Sequence, residues 1–377
     1  MNKIFEKYIT DDLQVNWEYV ETIPEFAELK DCQQNPKWHS EGTAWVHTVK
    51  CVEAAQHLLL HEYKNISLLD KRILLVGVLF HDIGKATTTE YIKENWHSYG
   101  HEISGERITR RILWDETLFA RESVCQMVRW HMEVLRIADS KDCFSKILKL
   151  SCNEYFNWRN LIFVKRCDSI GSEPQDESVH KIDEAKLKFI EQAATYLNCY
   201  YCNAYKNSNL MRSRIFGHPT EWDGKEKTKV YVCIGLPGAG KDTYASGTEL
   251  ETLCRDDIRA ELGYCKAGEK IIGTNEQENN VSDVFNKRLK DCILNKKDVI
   301  ISNLNVRKKY REDYHRLIDS IDNNVEWIYV YIEAPTLEDN IKRREGQIKR
   351  EAFNQIIDKF DWPTADEYDS IIIQKQR

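Results

Sequence analysis

One nine-residue stretch limits what this chain can fold into more than any other: Gly235-Leu236-Pro237-Gly238-Ala239-Gly240-Lys241-Asp242-Thr243. Glycines let backbone N–H groups curl around an anion with no Cβ in the way. A helix opening near Lys241 points its positive end at the same place. Lys241 adds a mobile charge that can follow the β- and γ-phosphates of a nucleotide. Such a loop needs a strand before it and a helix after it. Residues 229–235 (KVYVCIG) read as the strand, and further short apolar runs follow at 298–302 (DVIIS), 325–332 (VEWIYVYI) and 370–373 (SIII). Helical patterns fill the gaps, as at 281–294 and 307–318. That alternation predicts an α/β domain with a parallel sheet and helices on both faces.

The first half reads differently. Apolar positions recur at helical spacing, as in Trp45, Val49, Val52, Ala55 and Leu59, and prolines are nearly absent between Pro36 and Pro174. An all-α bundle over 1–215 is expected, then a linker at 216–227 in a polar stretch with Gly217, Pro219 and Gly224, then the α/β domain over 228–377. The formal net charge of −7 argues against coating nucleic acid along a broad basic face, but a strand end needs only a few cations. The apolar stretch 73–80 is too short to span a bilayer, and the first residues hold no apolar signal region. Most of the twelve cysteines sit beside apolar residues, which points to reduced thiols. The one Cys-x-x-Cys, Cys199 to Cys202, has no second pair and reads as thiols rather than zinc ligands. A cytoplasmic protein with no membrane partner is expected.

Past the loop, Cys254-Arg255-Asp256-Asp257-Ile258-Arg259 places a carboxylate and a cation on one helical turn. A kinase acting on a hydroxyl needs a carboxylate to orient the attacking oxygen and accept its proton, and cations for phosphates. Asp256 and Arg259 supply both. Residues 341–350 (IKRREGQIKR) form a basic stretch where phosphoryl transferases carry an arginine lid. One departure stands in the loop: Asp242 replaces the usual Ser or Thr after the lysine, and the hydroxyl comes one residue later at Thr243, as in nucleotide kinases with a GKGT-type loop. The blocks GLPGAGKDT, RDDIR, ISNLN (301–305), KRRE and FDWPTADEYD (360–369) together resemble the polynucleotide 5′-kinase family over about 228–377. The resemblance implies ATP or another NTP held with Mg2+ by residues 235–243, Asp256 as general base, Arg259 on the acceptor strand, and Arg343 or Arg344 as clamp. That family often has an Asp at the strand end before its NLN. Here Ser302-Asn303 stands instead.

Most of the histidines fall in the first half. His47, His81-Asp82, His101, His131 and Asp168 occur in the order of the HD-domain phosphohydrolases, with His81-Asp82-Ile83-Gly84-Lys85 intact. Imidazoles and carboxylates suit Mn, Fe, Co, Ni or Zn. His47, His81, Asp82 and Asp168 offer one site; His101 and His131 offer a second, with Asp82 bridging. Two such ions activate water and neutralise a phosphoryl oxygen together. Lys85 is placed to meet a phosphate, and His39 to line the site. Residues 32–48 (CQQNPKWHSEGTAWVHT), 84–88 and 100–105 resemble the HD domain of bacterial tRNA nucleotidyltransferases, with Thr43 where those carry Asp.

Joined, the two halves resemble the HD-Pnk family of bacterial RNA end-healing enzymes. The resemblance implies removal of 2′,3′-cyclic, 2′- or 3′-phosphates by the HD half. It implies transfer of the ATP γ-phosphate to a 5′-OH by the other half, with RNA as partner and a separate ligase to use the products. Contacts to the 2′-OH decide RNA against DNA. Two rivals fit parts of the pattern: a nucleoside or nucleotide kinase fused to a nucleotidase, and a non-catalytic sensor of nucleotides or RNA ends.

Overall fold

A helix with no wet face organises the first half. In Leu68–Phe80 every residue from Arg72 to Phe80 is buried, and a helix apolar all round must be wrapped by others. Ser67 caps it, its Oγ accepting from Asp70 N at 3.0 Å. Helices Ala44–His61, Leu118–Trp130 and Trp158–Gly171 pack around it. The computed structural model describes residues 4–200, 226–266, 273–322 and 324–375. Cys202 and nearly all of the expected linker lie outside the described residues. By internal contacts the chain divides into Met1–Ile215 and Phe216–Arg377. No helix among the described residues is long and apolar enough to cross a membrane.

Thr43 is the N-cap of Ala44–His61, its Oγ accepting from Val46 N at 3.4 Å. Thr is a good capping residue, as Asp is, so the exchange noted in the sequence keeps the local function. Two close approaches set the register of the bundle. A Cβ on Gly171 would lie 2.4 Å from Cys51 Sγ, and one on Gly84 would lie 2.0 Å from His101 O and 2.5 Å from Gly105 N. The first pulls helix Trp158–Gly171 onto Ala44–His61. The second pulls the turn after Leu68–Phe80 onto helix His101–Ile112. One element was not foreseen: an antiparallel hairpin, β1 (Glu90–Ile92) and β2 (Asn95–His97), joined through Lys93 and Glu94. Both turn residues have positive φ, at 49° and 63°. Glycine and asparagine, the usual markers of that turn, are missing from it.

The second half holds the expected parallel sheet. Its strands are β3 (Thr228–Ile234), β4 (Glu251–Leu253), β5 (Val299–Ile301), β6 (Val325–Glu333) and β7 (Ser370–Lys375), in the order β4-β5-β3-β6-β7. All pairings are parallel. The chain leaves β3 for one side of the sheet and returns to the other at β6. This makes the carboxyl end of β3 the switch point where α/β folds bind ligands. The segment 360–369 acts as a staple there. Glu367 grips the buried Arg311 through two bonds of 2.7 and 3.2 Å, and Arg311 Nη1 donates to Asn305 O at 2.9 Å. Asn305 in turn donates to Cys233 O at 2.8 Å, next to the end of β3. Breaking a buried pair of this kind by removing one partner costs more than never having it, because the other charge stays behind.

Gly84→Ala is expected to lower the stability of the helical half by about 1–3 kcal/mol through overpacking. Thermal unfolding followed by far-UV circular dichroism checks this. An unchanged melting temperature would show that the two turns are less tightly opposed than the 2.0 Å approach requires.

Candidate functional site

In the first half, four imidazoles converge with two carboxylates. His81 and His131 are the C-cap residues of Leu68–Phe80 and Leu118–Trp130, and each lies 2.7–2.8 Å through Nδ1 from the carbonyl three residues back, Val78 O and Val128 O. His101 opens its helix and places Nδ1 2.8 Å from Ser98 O. A carbonyl oxygen only accepts, so each ring carries its proton on Nδ1 and presents a bare Nε2. His47 Nδ1 meets Glu41 Oε1 at 2.9 Å instead. All four Nε2 atoms point at Asp82 or Asp168. Asp82 Oδ2 lies 3.5 Å from His47 Nε2 and 3.3 Å from His81 Nε2. Its other oxygen, Oδ1, lies 3.4 Å from His101 Nε2 and 3.8 Å from His131 Nε2. Asp168 Oδ1 completes the first group, 3.1 Å from His47 Nε2 and 3.9 Å from His81 Nε2. One carboxylate thus faces two groups of donors, one with each oxygen.

The electrostatics fit cations in this space. Burial pushes the Asp82 carboxyl up, but Lys85 and His81 outweigh it and hold it well below its usual range. Asp168 behaves alike, with Lys165 as the counterweight at 2.6 Å. Burial depresses His101 and His131, leaving neutral rings. Burial also depresses His47, but contacts with Cys51, Asp168 and Glu41 reverse this and raise it. The bare nitrogens of His101 and His131 face each other at 3.2 Å, and His47 Nε2 stands 3.4 Å from the bare Nε2 of His81. Opposed lone pairs repel unless a cation lies between them. Asp82 Oδ2 is buried and makes no well-aligned hydrogen bond, with Lys85 Nζ 2.7 Å away as its ion-pair partner. Imidazole nitrogens and carboxylate oxygens so grouped fit divalent transition metals in two adjacent positions. The cluster supports metal use by this domain.

Lys85 Nζ lies 2.7 Å from both Asp82 Oδ2 and Gln34 Oε1, so it neutralises the bridging carboxylate from inside the site. Three neighbours were not singled out as site residues in the sequence. Glu41 holds His47 on one side and His39 Nδ1 at 2.8 Å on the other. Cys51, one turn after His47, puts Sγ 3.4 Å from its Nε2. Lys165 is buried against Asp168. The only sequence signal was position: Cys51 and Lys165 sit one helical turn from a ligand.

In the second half the loop after β3 turns through Gly238 and Gly240, at φ 75° and 96°. Lys241 Nζ donates to its own loop, to Gly235 O at 3.0 Å and Leu236 O at 2.8 Å. Arg343 Nη1 donates to Gly238 O at 3.2 Å, and Arg344 Nη2 lies 3.8 Å from Asp242 Oδ2. Of the basic stretch, Arg350 pairs with Glu338 at 2.7 Å, whereas Arg343 and Arg344 reach the loop. They enclose with it a cavity of about 360 Å3 lined also by Gly240, Lys241, Asp242 and Thr243. A second cavity of about 1010 Å3 shares Lys241, Asp242 and Arg344 with the first and extends to Asp256, Arg259 and Tyr314. Asn303 Oδ1 accepts from Arg255 N at 3.1 Å and so fixes the start of the helix that carries Asp256. Arg259 is not a loose cation. It meets Asp256 Oδ1 at 2.5 Å and forks onto Glu278 at 2.7 and 2.8 Å. That grip holds the Glu278 carboxyl down to about 2. Glu278 is a further residue the sequence reading did not single out.

Residues 45–184 match the family described as HD domain, and residues 230–363 match the family described as AAA domain. The chain thus joins an HD-type helical domain to a P-loop-like α/β domain, an architecture that supports catalysis with metal and nucleotide cofactors. It is similar to an L-seryl-tRNA(Sec) kinase of Methanococcus maripaludis, at 26% identity over 136 residues. That match covers 35% of this chain and 52% of the relative, so the chain spans about half the length of the curated relative it matches. A solved structure, "Structure of Pnkp1/Rnl/Hen1 complex", matches over 38% of this chain and 46% of that one, at 19% identity with a TM-score of 0.30.

Glu41→Gln keeps the shape of the side chain but removes the charge that orients His47. It is expected to weaken binding of Mn2+ or Ni2+ by about 10–100-fold, as for other carboxylates behind a ligating histidine. Titration calorimetry on the metal-stripped protein reads this directly, and unaltered affinity would leave Glu41 a structural residue only.

Proposed function

We propose that the chain is a bifunctional RNA end-healing enzyme. The HD domain removes a 2′,3′-cyclic, 2′- or 3′-phosphate from an RNA 3′ end, and the P-loop domain transfers the γ-phosphate of ATP to a 5′-OH. The observation that carries the reading is that each half builds a cluster suited to phosphate chemistry: two donor groups on either side of Asp82 in one, a glycine-rich loop with Asp256 in an adjoining cavity in the other. The similar kinase is by its name one that acts on an L-seryl-tRNA, which favours an acceptor hydroxyl attached to RNA over a free nucleoside.

In the HD site, bound divalent ions supply Lewis acidity, which acidifies water and neutralises a phosphoryl oxygen. His47, His81, Asp82 and Asp168 would hold one ion; His101, His131 and the other oxygen of Asp82 would hold the second. Lys85 keeps Asp82 ionised, and the backbone carbonyls and Glu41 keep the four Nε2 atoms aimed inward. In the kinase site Asp256 accepts the proton of the attacking 5′-OH. The loop amides, Lys241, Arg343 and Arg344 hold the phosphates while the γ-phosphoryl group passes from ATP to that oxygen and ADP leaves. Arg259 positions Asp256 and is itself held by Glu278.

The test uses one RNA oligonucleotide with a 5′-OH and a 2′,3′-cyclic phosphate, with ATP, Mg2+ and a transition metal, both ends resolved by mass spectrometry. The wild type is expected to heal both ends, Asp82→Ala to lose only 3′ healing, and Lys241→Ala to lose only 5′ phosphorylation. Turnover of free nucleosides with no change at either RNA end would replace this reading by the small-molecule rival. In the same assay Glu278→Ala is expected to lower the 5′-phosphorylation rate by about 100-fold through misplacement of Arg259 and Asp256. Calorimetry should show ADP binding at the wild-type level, since Glu278 touches no part of the loop. A loss of ADP binding instead would make Glu278 part of the nucleotide site.

A further inference from the structure

P-loop enzymes place a Ser or Thr hydroxyl directly after the loop lysine and draw the acidic partner from the end of a strand, and together these hold Mg2+. In this chain the two residue types are exchanged. The loop carries Asp242, and the strand end carries Ser302. The sheet brings them together. Strand β5 pairs with β3 so that Ile301 faces Val232, and Ser302 emerges at the edge from which the loop springs. Ser302 is 3% exposed, and its Oγ lies 2.9 Å from Asp242 Oδ1, to which the hydroxyl donates.

We propose that Asp242 and Ser302 form the magnesium-side pair of the nucleotide site, with the carboxylate on the loop and the hydroxyl on the strand. The assignment rests on the reading of this half as a nucleotide-dependent kinase. The exchange conserves the donor set, one carboxylate and one hydroxyl, both hard oxygens of the kind Mg2+ prefers. A serine hydroxyl that donates its single proton to Asp242 keeps its lone pairs for a cation or its water. Both side chains line the larger cavity, and Asp242 also lines the smaller one with Lys241 and Arg344. Charge gives the strongest reason. The Asp242 side chain, 55% exposed and with Arg344 3.8 Å away, lines the loop cavity where nucleotide phosphates would approach, and like charges brought to contact repel. A divalent cation between them turns that repulsion into attraction. The alternative hydroxyl is Thr243, the next residue along.

The test is the magnesium dependence of ADP binding to the full chain, by titration calorimetry with and without Mg2+. Asp242→Asn keeps an acceptor for Ser302 and removes the charge. It should abolish the magnesium-linked gain in affinity, by about 10–100-fold, while magnesium-free binding persists. Ser302→Ala should lose part of that gain, and the exchange Asp242→Ser with Ser302→Asp should recover it. A full magnesium-linked gain in Asp242→Asn overturns the assignment, as does a larger loss in Thr243→Ala than in Asp242→Asn. The two readings fail separately. A wild type that binds Mg-ADP through Asp242 but phosphorylates no RNA end sinks the RNA reading alone. An Asp242→Asn variant that phosphorylates RNA with the wild-type magnesium dependence sinks this assignment alone.

Discussion

A ring nitrogen that gives its proton to the backbone leaves the other nitrogen bare, and the helical half depends on that constraint. His81, His101 and His131 each meet the carbonyl three residues upstream. For His81 and His131 this bond also satisfies one of the carbonyls that every helix end leaves orphaned. The same contact therefore ends a helix and aims a donor. It costs no extra element of structure, and it makes the ligand geometry as rigid as the helices that carry it. Two carboxylates can then be buried among the rings only because Lys85 and Lys165 stand against them. Removing either lysine would leave an unbalanced buried charge, a loss of several kcal/mol at the usual scale for such pairs.

The α/β half solves its placement problem with amides instead. Asn305 ties Cys233 at the end of β3 to the turn after β5, and Tyr314 donates to its Oδ1 at 3.0 Å. Asn303 anchors the helix that carries Asp256. The two asparagines of the NLN block thus connect the phosphate loop to Asp256 through bonds that do not titrate. The segment 360–369 completes this by clamping Arg311, whose guanidinium holds the carbonyl of Asn305.

The fold class was legible because each half has a single dominant period: helical spacing before the linker, short apolar runs separated by helices after it. The hairpin 90–97 was not legible, because Lys93 and Glu94 adopt positive φ without the residues that usually announce it. The residues later found around Asp82 could be named from the sequence because each sits in a short recognisable block, such as HDIGK. Glu41 and Glu278 could not be given roles in the same way. Glu41 acts through a loop that folds back beside His47, and Glu278 lies on a different helix from Arg259, 19 residues away. Their contacts are set by tertiary packing, which no local pattern encodes. The Asp242 departure was visible, but its meaning depended on what the sheet placed beside it, and that was Ser302.

Charge balance in the larger cavity bears on what can enter it. Five cationic and four anionic side chains line it, and the buried Arg259 is already held by Asp256 and Glu278. An acceptor that arrived with a phosphate beside Asp256 would reach Arg259 only by competing with that network. A hydroxyl end brings no charge to Asp256 and needs only an acceptor for its proton. Among the described residues, Asp242 is the one carboxylate lining the adjoining cavity, and Arg344 Nη2 lies 3.8 Å from it. Under the proposed assignment, phosphate charge belongs at the loop and neutral hydroxyl chemistry at Asp256. Such a division would let a chain of net charge −7 meet a phosphate ester without a broad basic surface.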